Sequence, residues 1–152
     1  MTVLDRLHHL GLVLPSLATP AGAYVPFVRS GSLLFLSGHI AKRDGKSWVG
    51  QLGRDMDTAT GKAAARAVAI DLLGTLSAAL GGDLERVERS GKVMGVVNST
   101  GEFTEHHLVV NGCSELLGEV LGDKGAHARS AFGVAQIPTG ACVEIELIAE
   151  VR

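Results

Sequence analysis

The chain has 152 residues, a length that suits one domain able to bury roughly 70% of its unfolded surface. Charged residues make up 20% and give a net charge of −2, so no basic surface for a phosphate backbone is indicated. Aromatic residues are only 4%, which leaves few platforms for stacking bases. Nucleic acid is therefore not the expected partner.

The first third of the chain predicts a short helix and three strands. Leucines near the amino end recur at helical spacing, with Thr2 placed to cap the helix and Gly11 to end it. Residues 24–29 predict an edge strand, because the proline within them cannot donate to a neighbouring strand. An apolar strand follows at 33–37, and the pair Asp44-Gly45 predicts a tight hairpin turn into a brief third strand.

The middle of the chain predicts two helices that flank a strand. From Asp57 the apolar residues follow the helical period as far as Leu80, where two glycines end the helix. The alanines of this helix allow close approach to a sheet. Residues 86–98 alternate as a strand, and residues 102–121 form a second helix with a glycine just past its end.

The carboxyl end predicts two more strands, at 128–137 and 141–151, joined as a hairpin where a Pro-Thr-Gly turn reverses the chain. The complete order is then β-β-β-α-β-α-β-β, which predicts an α+β fold with two helices on one sheet face. The other sheet face is left uncovered. Together with the apolar composition, this predicts that some apolar surface lies in a subunit interface.

Two charged residues of this terminal segment stand out. Arg129 has only small residues as same-face neighbours, so a ligand or another chain could reach it. In the expected hairpin, Glu144 lies across from Val134, about 13 to 17 Å along the strand from Arg129 at ~3.3 Å per residue. Either the two serve different purposes or a neighbouring subunit brings one to the other. Which faces they take stays open, because a one-residue change of register reverses them.

The same segment carries a family resemblance. The sequence A-R-S, a small-residue strand ending in I-P, and V-E-I-E-L-I-A resemble the RidA or YjgF-like imine deaminases, a family also described as translation inhibitors and L-PSP endoribonucleases. The resemblance implies a mixed sheet of the chorismate-mutase-like fold and a homotrimer with sites between subunits. It runs from about Tyr24 to the last residue, within a single domain of residues 1–152. Residues 1–22 form an extra amino-terminal segment of a longer subgroup.

By this resemblance, Arg129 would hold a substrate carboxylate and Glu144 would position or deprotonate a water. A guanidinium suits the first task because its planar fork makes two parallel hydrogen bonds to a carboxylate. Four further residues would bind or enclose the substrate: Tyr24, Ser37, Gly38 and Asn111.

On the residues alone, each of these side chains has a plainer interpretation. Arg129 would be a surface cation and Glu144 one member of a solvated glutamate face. Tyr24 would be an amphipathic residue of an edge strand, and Asn111 would face solvent on its helix.

The chain also departs from the family pattern at three places. His39 stands where glutamine is usual, and Ala131 occupies the position of a cysteine two residues after the arginine. Asn111 lies one residue further from the arginine than its counterpart does. These differences leave the substrate range open, and with it whether His39 contributes to the site.

No metal or cofactor is predicted. The histidine pairs His8-His9 and His106-His107 are adjacent rather than one turn apart, and no CxxC or phosphate-binding GK[ST] sequence occurs. Cys113 and Cys142 lie in apolar stretches, as reduced thiols do. With no signal peptide and no membrane-spanning run, this predicts a cytoplasmic protein with no membrane partner.

Two functions follow from these observations. The first is an enzyme that hydrolyses small enamine or imine acids such as 2-aminoacrylate to 2-keto acids and ammonia. The second is a non-catalytic binding or regulatory protein that holds a small carboxylate metabolite in the same intersubunit cleft.

Overall fold

The computed structural model describes residues 1–17 and 22–152, and its described residues form three α-helices beside a mixed sheet. The helices are α1 (Val3–His9), α2 (Thr58–Ala79) and α3 (His106–Leu121). The strands are β1 (Phe27–Ser30), β2 (Leu33–Ile40), β3 (Lys42–Arg43), β4 (Lys46–Ser47), β5 (Val87–Asn98), β6 (Ala128–Val134) and β7 (Val143–Val151).

Helices α1 and α2 each begin at a side-chain cap, of which the sequence indicated Thr2. Thr2 Oγ1 accepts a hydrogen bond from the Asp5 amide at 3.1 Å, and the Asp5 carboxylate accepts from the Thr2 amide at 2.8 Å. This reciprocal capping box compensates for the marginal length of α1. Asp57 caps α2 through a 2.8 Å bond from the Thr60 amide. Helix α3 begins at His106 rather than at 102, because residues 100–105 form a turn instead.

The sheet has the order β1-β2-β7-β5-β6, in which β5 and β6 are parallel and the other neighbours antiparallel. Helix α2 packs on β2 and β7, and α3 packs on β5 and β6. The helix-facing residues of β7 are buried from Val143 to Val151 at every second position, as the two-residue period requires. The predicted α+β layer, with two helices on one face of a mixed sheet, is confirmed.

The expected terminal hairpin is wrong. Strands β6 and β7 do not pair with each other, because β5 lies between them and bonds to both. The link between them contains a short 3-10 turn, Pro138–Gly140, in which Thr139 has φ of 63°. Alternation of apolar and polar residues identifies each strand but not its neighbour in the sheet. Both β6 and β7 pair with β5, a strand of 12 residues that has one of them on each edge.

The opening segment has four strands where the sequence predicted three, because the two-residue strand β3 (Lys42–Arg43) precedes the turn. Strand β1 begins at Phe27 rather than Tyr24, so Pro26 lies just before the strand and needs no place in the ladder. The predicted turn at Asp44-Gly45 is confirmed: both residues have positive φ, 53° and 76°, as a type I′ hairpin requires.

The sheet face opposite the helices carries partly exposed apolar side chains. Leu33 and Phe35 on β2 are 39% and 41% exposed, and Phe132 on β6 is 45% exposed. None of the described helices has the length and apolar run needed to cross a bilayer.

Helices α2 and α3 approach closely at Gly112, where a Cβ atom would overlap the carbonyl oxygen of Lys62. We expect Gly112→Ala to lower the free energy of unfolding by about 1–3 kcal/mol, because overpacking pushes the helices apart. Gly118→Ala on the same helix, where a Cβ would meet nothing within 4 Å, should instead stabilise by up to about 1 kcal/mol. Urea denaturation of both variants checks this, and equal stabilities would contradict the close approach.

Candidate functional site

A pocket of ≈ 370 Å³ opens beside β2, and four of the six predicted site residues line it. Its lining includes Tyr24, Ser37, Gly38 and Glu144, which come from three separate parts of the chain. Tyr24 is half exposed and precedes β1, while Glu144 comes from β7. The fold therefore brings these four predicted residues together.

The pocket wall is shaped by a bulge in β2. Pairing with β7 shifts register between Leu36 and His39, which leaves Ser37 and Gly38 as the irregular pair. Gly38 leaves room for the Glu144 side chain, since a Cβ here would lie 3.2 Å from the Glu144 carboxyl carbon and press on it. The Ser37 hydroxyl donates to the Val25 carbonyl at 2.6 Å and so ties the segment after Tyr24 to the bulge.

His39 links this bulge to α2. Its Nδ1 lies 2.7 Å from the Ser37 carbonyl oxygen and its Nε2 lies 2.7 Å from Thr75 Oγ1. Because a carbonyl can only accept, Nδ1 carries the hydrogen and Nε2 of the neutral ring accepts from the Thr75 hydroxyl. Burial lowers the pKa of His39, although the bond to the Ser37 carbonyl opposes this. His39 thus lines the pocket as a neutral group.

Two carboxyl groups in the pocket have raised pKa values. Burial raises the pKa of Glu144, and the neighbouring Glu146 carboxylate adds to the rise. Burial also raises the pKa of Asp71 on α2, against the opposing charge of Lys42. A half-buried carboxylate with a raised pKa is better suited to take up and return a proton near neutral pH than an exposed one.

Asp71, Thr75 and Lys42 line the pocket although the sequence analysis did not select them. A signal was present, because Asp71 is a charged residue directly before the buried pair Leu72 and Leu73 in an otherwise apolar stretch of α2. Thr75 lies one helical turn further on and therefore on the same side.

The other two predicted site residues, Arg129 and Asn111, lie together elsewhere. Arg129 Nη1 donates to Asn111 Oδ1 at 2.8 Å and to Ser114 Oγ at 3.2 Å, and Nη2 donates to the His107 carbonyl at 3.2 Å. Arg129 is therefore held against α3, a contact that the sequence analysis did not anticipate. Of its five N–H groups, these described acceptors engage three, which leaves the Nε hydrogen and one on Nη2.

Arg129 and Glu144 lie on opposite faces of the sheet. Arg129 pairs with Val93, which is buried under the helices, whereas Glu144 pairs with Val96. Positions 93 and 96 differ by an odd number and so point to opposite sides. With about 10 Å along the strands and two strand spacings across them, the Cα atoms lie on the order of 14 Å apart. This distance replaces the one derived from the expected hairpin, and Arg129 and Glu144 are still too far apart within one chain to share a small ligand.

Comparison with known proteins agrees with the fold and extends over almost the whole chain. A family model described as "YjgF/chorismate mutase-like, putative endoribonuclease" matches residues 4–151. "Protein TCP17" of Trypanosoma cruzi is 46% identical over 99% of this chain and 94% of its own.

Two solved structures are similar to this one. Protein Atu1372 of Agrobacterium tumefaciens, described as having unknown function, is 43% identical with a TM-score of 0.91, covering 99% of this chain and 94% of its own. A "putative endoribonuclease" of Shewanella oneidensis is 33% identical with a TM-score of 0.94, covering 99% and 100%. Because the coverage is nearly complete, the amino-terminal segment is common to these proteins.

The neutral state of His39 predicts an acid-sensitive fold. In the unfolded chain His39 takes up a proton below its ordinary pKa of 6.5, whereas the folded chain resists it, so stability should fall as pH drops below that value. The slope due to His39 cannot exceed about 1.4 kcal/mol per pH unit, the value for one proton. His39→Gln, which does not titrate, should flatten the curve.

Urea denaturation at several pH values between about 5 and 7.5 measures this difference, because His39→Gln removes one proton from the linkage and leaves the other histidines in place. Parallel curves for the two proteins would show that His39 protonates as readily in the folded chain as in the unfolded one.

Proposed function

The chain belongs to the YjgF/chorismate-mutase-like family, and from this premise we propose that it is an enamine/imine deaminase. It hydrolyses small reactive imino acids of the 2-aminoacrylate type to 2-keto acids and ammonia. The observation that carries the proposal is the presence of two complementary half-sites. One is an arginine with two adjacent donors available, and the other is a pocket with a half-buried glutamate.

We further propose that the active unit is a homotrimer and that each site forms between two subunits. The half-site of Arg129 and Asn111 lies on the helix-covered face, while the pocket with Glu144 reaches the uncovered one. A small ligand cannot contact both within one chain at their separation. Apolar side chains on the uncovered face, such as Phe35 and Phe132, supply a surface for the neighbouring subunit.

In this mechanism Arg129 binds the substrate carboxylate. The Nε hydrogen and the remaining Nη2 hydrogen lie on adjacent nitrogens of a planar group, so two carboxylate oxygens can bridge them. Asn111 holds the guanidinium from behind through the 2.8 Å bond to Nη1. The carboxylate is thereby fixed next to the carbon that reacts, which lowers the entropic barrier to water attack.

Glu144 directs the water. As the water oxygen attacks the imine carbon, the Glu144 carboxylate accepts a water proton, and the carbon becomes tetrahedral. That proton passes to the nitrogen. The hydroxyl proton of the tetrahedral carbon then follows through the Glu144 carboxylate to the nitrogen as the C=O bond forms and the C–N bond breaks, so that ammonia and the 2-keto acid leave. One water is consumed, and Glu144 returns to its starting state. The raised pKa of Glu144 suits a group that both takes and returns a proton.

The reaction proceeds in this proposal without a metal, a cofactor or a covalent intermediate. Both thiols are buried, and burial raises the pKa of Cys113 to about 12 and that of Cys142 to about 11, so neither is a nucleophile. Two free thiols fit a reducing compartment, and we place the protein in the cytoplasm.

The second candidate is a binding or regulatory protein for a small carboxylate metabolite. Ala131 supports it, because this side chain beside Arg129 has no group that can transfer a proton. RNA cleavage, the activity named for the family, is less well supported. The net charge of −2 and 4% aromatic content provide little for phosphate contacts or base stacking.

The intersubunit arrangement predicts complementation. Light scattering should give about 47 kDa, three times the 15.8 kDa chain. When Arg129→Lys and Glu144→Gln chains are co-expressed with different tags, randomly mixed trimers should contain intact sites at roughly a quarter of positions. Purified mixed trimers should then recover activity that neither parent has. A monomer, or mixed trimers as inactive as their parents, would place the two residues in separate roles.

The carboxylate and water roles predict the kinetics of two variants. Arg129→Lys keeps the charge but loses the fork, and should lower imine hydrolysis by roughly one to two orders of magnitude. Glu144→Gln should lower it by about 10²-fold or more, because the general base is lost. The assay generates 2-aminoacrylate enzymatically and follows keto-acid release. Arg66→Lys and Glu119→Gln, a pair 3.4 Å apart on the outer helix surface, are matched controls that should keep full activity.

Two outcomes would favour other functions. A wild-type rate equal to the background, with a keto acid still bound through Arg129, indicates the binding protein. Salt-resistant RNA binding at physiological ionic strength, with cleavage lost in Glu144→Gln, indicates the ribonuclease. Full activity in Arg129→Lys would overturn the role given to the arginine.

A further inference from the structure

A series of hydrogen bonds leads away from Arg129 on the side opposite its available donors. Arg129 Nη1 donates to Ser114 Oγ at 3.2 Å, and Ser114 Oγ lies 2.8 Å from His127 Nε2. His127 Nδ1 in turn lies 2.7 Å from the Gly125 carbonyl oxygen. Three side chains from α3, β6 and the segment between them are therefore linked to one backbone oxygen.

The direction of every hydrogen in this series follows from its last member. The Gly125 carbonyl can only accept, so His127 Nδ1 carries a hydrogen, and Nε2 of the neutral ring is an acceptor. Ser114 must then donate to Nε2, which leaves its oxygen lone pairs to accept from Arg129. Each group donates to the next, from Arg129 to Gly125, and bonds aligned in this way polarise and strengthen one another.

We propose that Ser114 and His127 are positioning residues that hold the Arg129 guanidinium in one rotation, with Nε and Nη2 presented to the ligand. This rests on the proposed function of Arg129 as the carboxylate-binding group. With Nη1 engaged by Ser114 and Asn111 and Nη2 by the His107 carbonyl, the guanidinium cannot turn without breaking three hydrogen bonds. An unheld arginine would lose conformational freedom when it binds a ligand. Here that freedom is already lost before the ligand arrives, so binding costs less entropy.

The anchor of the series is rigid. Gly125 is buried at the end of the short turn Gly122–Gly125, and a Cβ there would overlap the carbonyl oxygen of Leu117 on α3. The turn is thus packed directly against the helix that carries Ser114. A fixed carbonyl oxygen fixes the His127 ring, and the ring fixes the hydroxyl that Arg129 contacts.

The pair Ser114 and His127 also has the spacing of a nucleophile and its base. The arginine argues against that role. Its N–H group donates to one of the two lone pairs of Ser114 Oγ, and such a hydrogen bond makes that oxygen a weaker nucleophile. Orientation of Arg129 therefore accounts better for all three contacts.

The kinetic test compares Ser114→Ala with Ser114→Thr and His127→Phe with His127→Gln. The first of each pair removes the contact, and the second keeps an oxygen that can continue it. Ser114→Ala and His127→Phe should each raise KM for the imino acid about 3- to 10-fold with little change in kcat. They should weaken pyruvate binding by the same factor, and Ser114→Thr and His127→Gln should lie nearer to wild type. A fall in kcat at unchanged KM in both pairs would overturn the proposal.

A double-mutant comparison separates positioning from general stabilisation. If Ser114 acts through Arg129, Ser114→Ala should have no further effect on KM or pyruvate affinity in an Arg129→Lys background. The same fold-change in both backgrounds would mean that Ser114 serves the fold and not the arginine.

NMR of the arginine side chain keeps the proposal testable even if the proposed function fails. In wild type, rotation about the Nε–Cζ bond of Arg129 should be restricted, and Ser114→Ala should accelerate it, with Ser114→Thr in between. If wild type neither hydrolyses imino acids nor binds pyruvate while this pattern holds, the deaminase proposal is wrong and the positioning stands. Equal rotation in wild type and Ser114→Ala would overturn the positioning whatever the activity.

Discussion

The pairing of β5 with both β6 and β7 is the constraint on which the site depends. Residues directly opposite one another on neighbouring strands point to the same side of a sheet. The positions of β5 therefore show which side chains of β6 and β7 share a face. Arg129 lies opposite position 93 and Glu144 opposite position 96. Because the offset is odd, no side-chain rotation can bring the guanidinium and the carboxylate to one face. This parity is the reason for proposing that a second chain completes a site that uses both residues.

The pocket contains partly buried carboxyl groups that are costly to ionise, whereas the core contains apolar side chains. Glu144 and Asp71 are both carboxyl groups whose pKa values burial raises, so ionising them in the fold is harder than in water. The helix-facing side of β7, by contrast, consists of fully or nearly fully buried apolar residues. Apolar burial is concentrated on the helix-covered face, and the two carboxyl groups line the pocket beside the bulge at Ser37 and Gly38. This division is common where chemistry is carried out on a stable scaffold.

The sequence predicted the elements well because their signals are local. Helix period, capping by Thr2, and the positive-φ turn at Asp44-Gly45 all depend on residues close in the chain. The partner of β6 could not be predicted in that way, since pairing with β5 joins residues some 35 positions apart. For the same reason four pocket residues were identified through a family pattern, whereas Asp71 and Thr75 were not, and the contacts of Arg129 with α3 were not anticipated.

The contact between the two long helices also bears on the arginine. Gly112 lets α3 lie directly on the backbone of α2 at Lys62. The acceptors for Arg129 Nη1, Asn111 and Ser114, lie on either side of this glycine in the sequence. The depth at which α3 packs therefore determines how far these acceptors stand from β6. A displacement of α3 by one methyl radius would lengthen hydrogen bonds already at 2.8 and 3.2 Å and weaken them steeply. The packing of α3 on α2 and the orientation of the carboxylate-binding arginine therefore both depend on the absence of a side chain at Gly112.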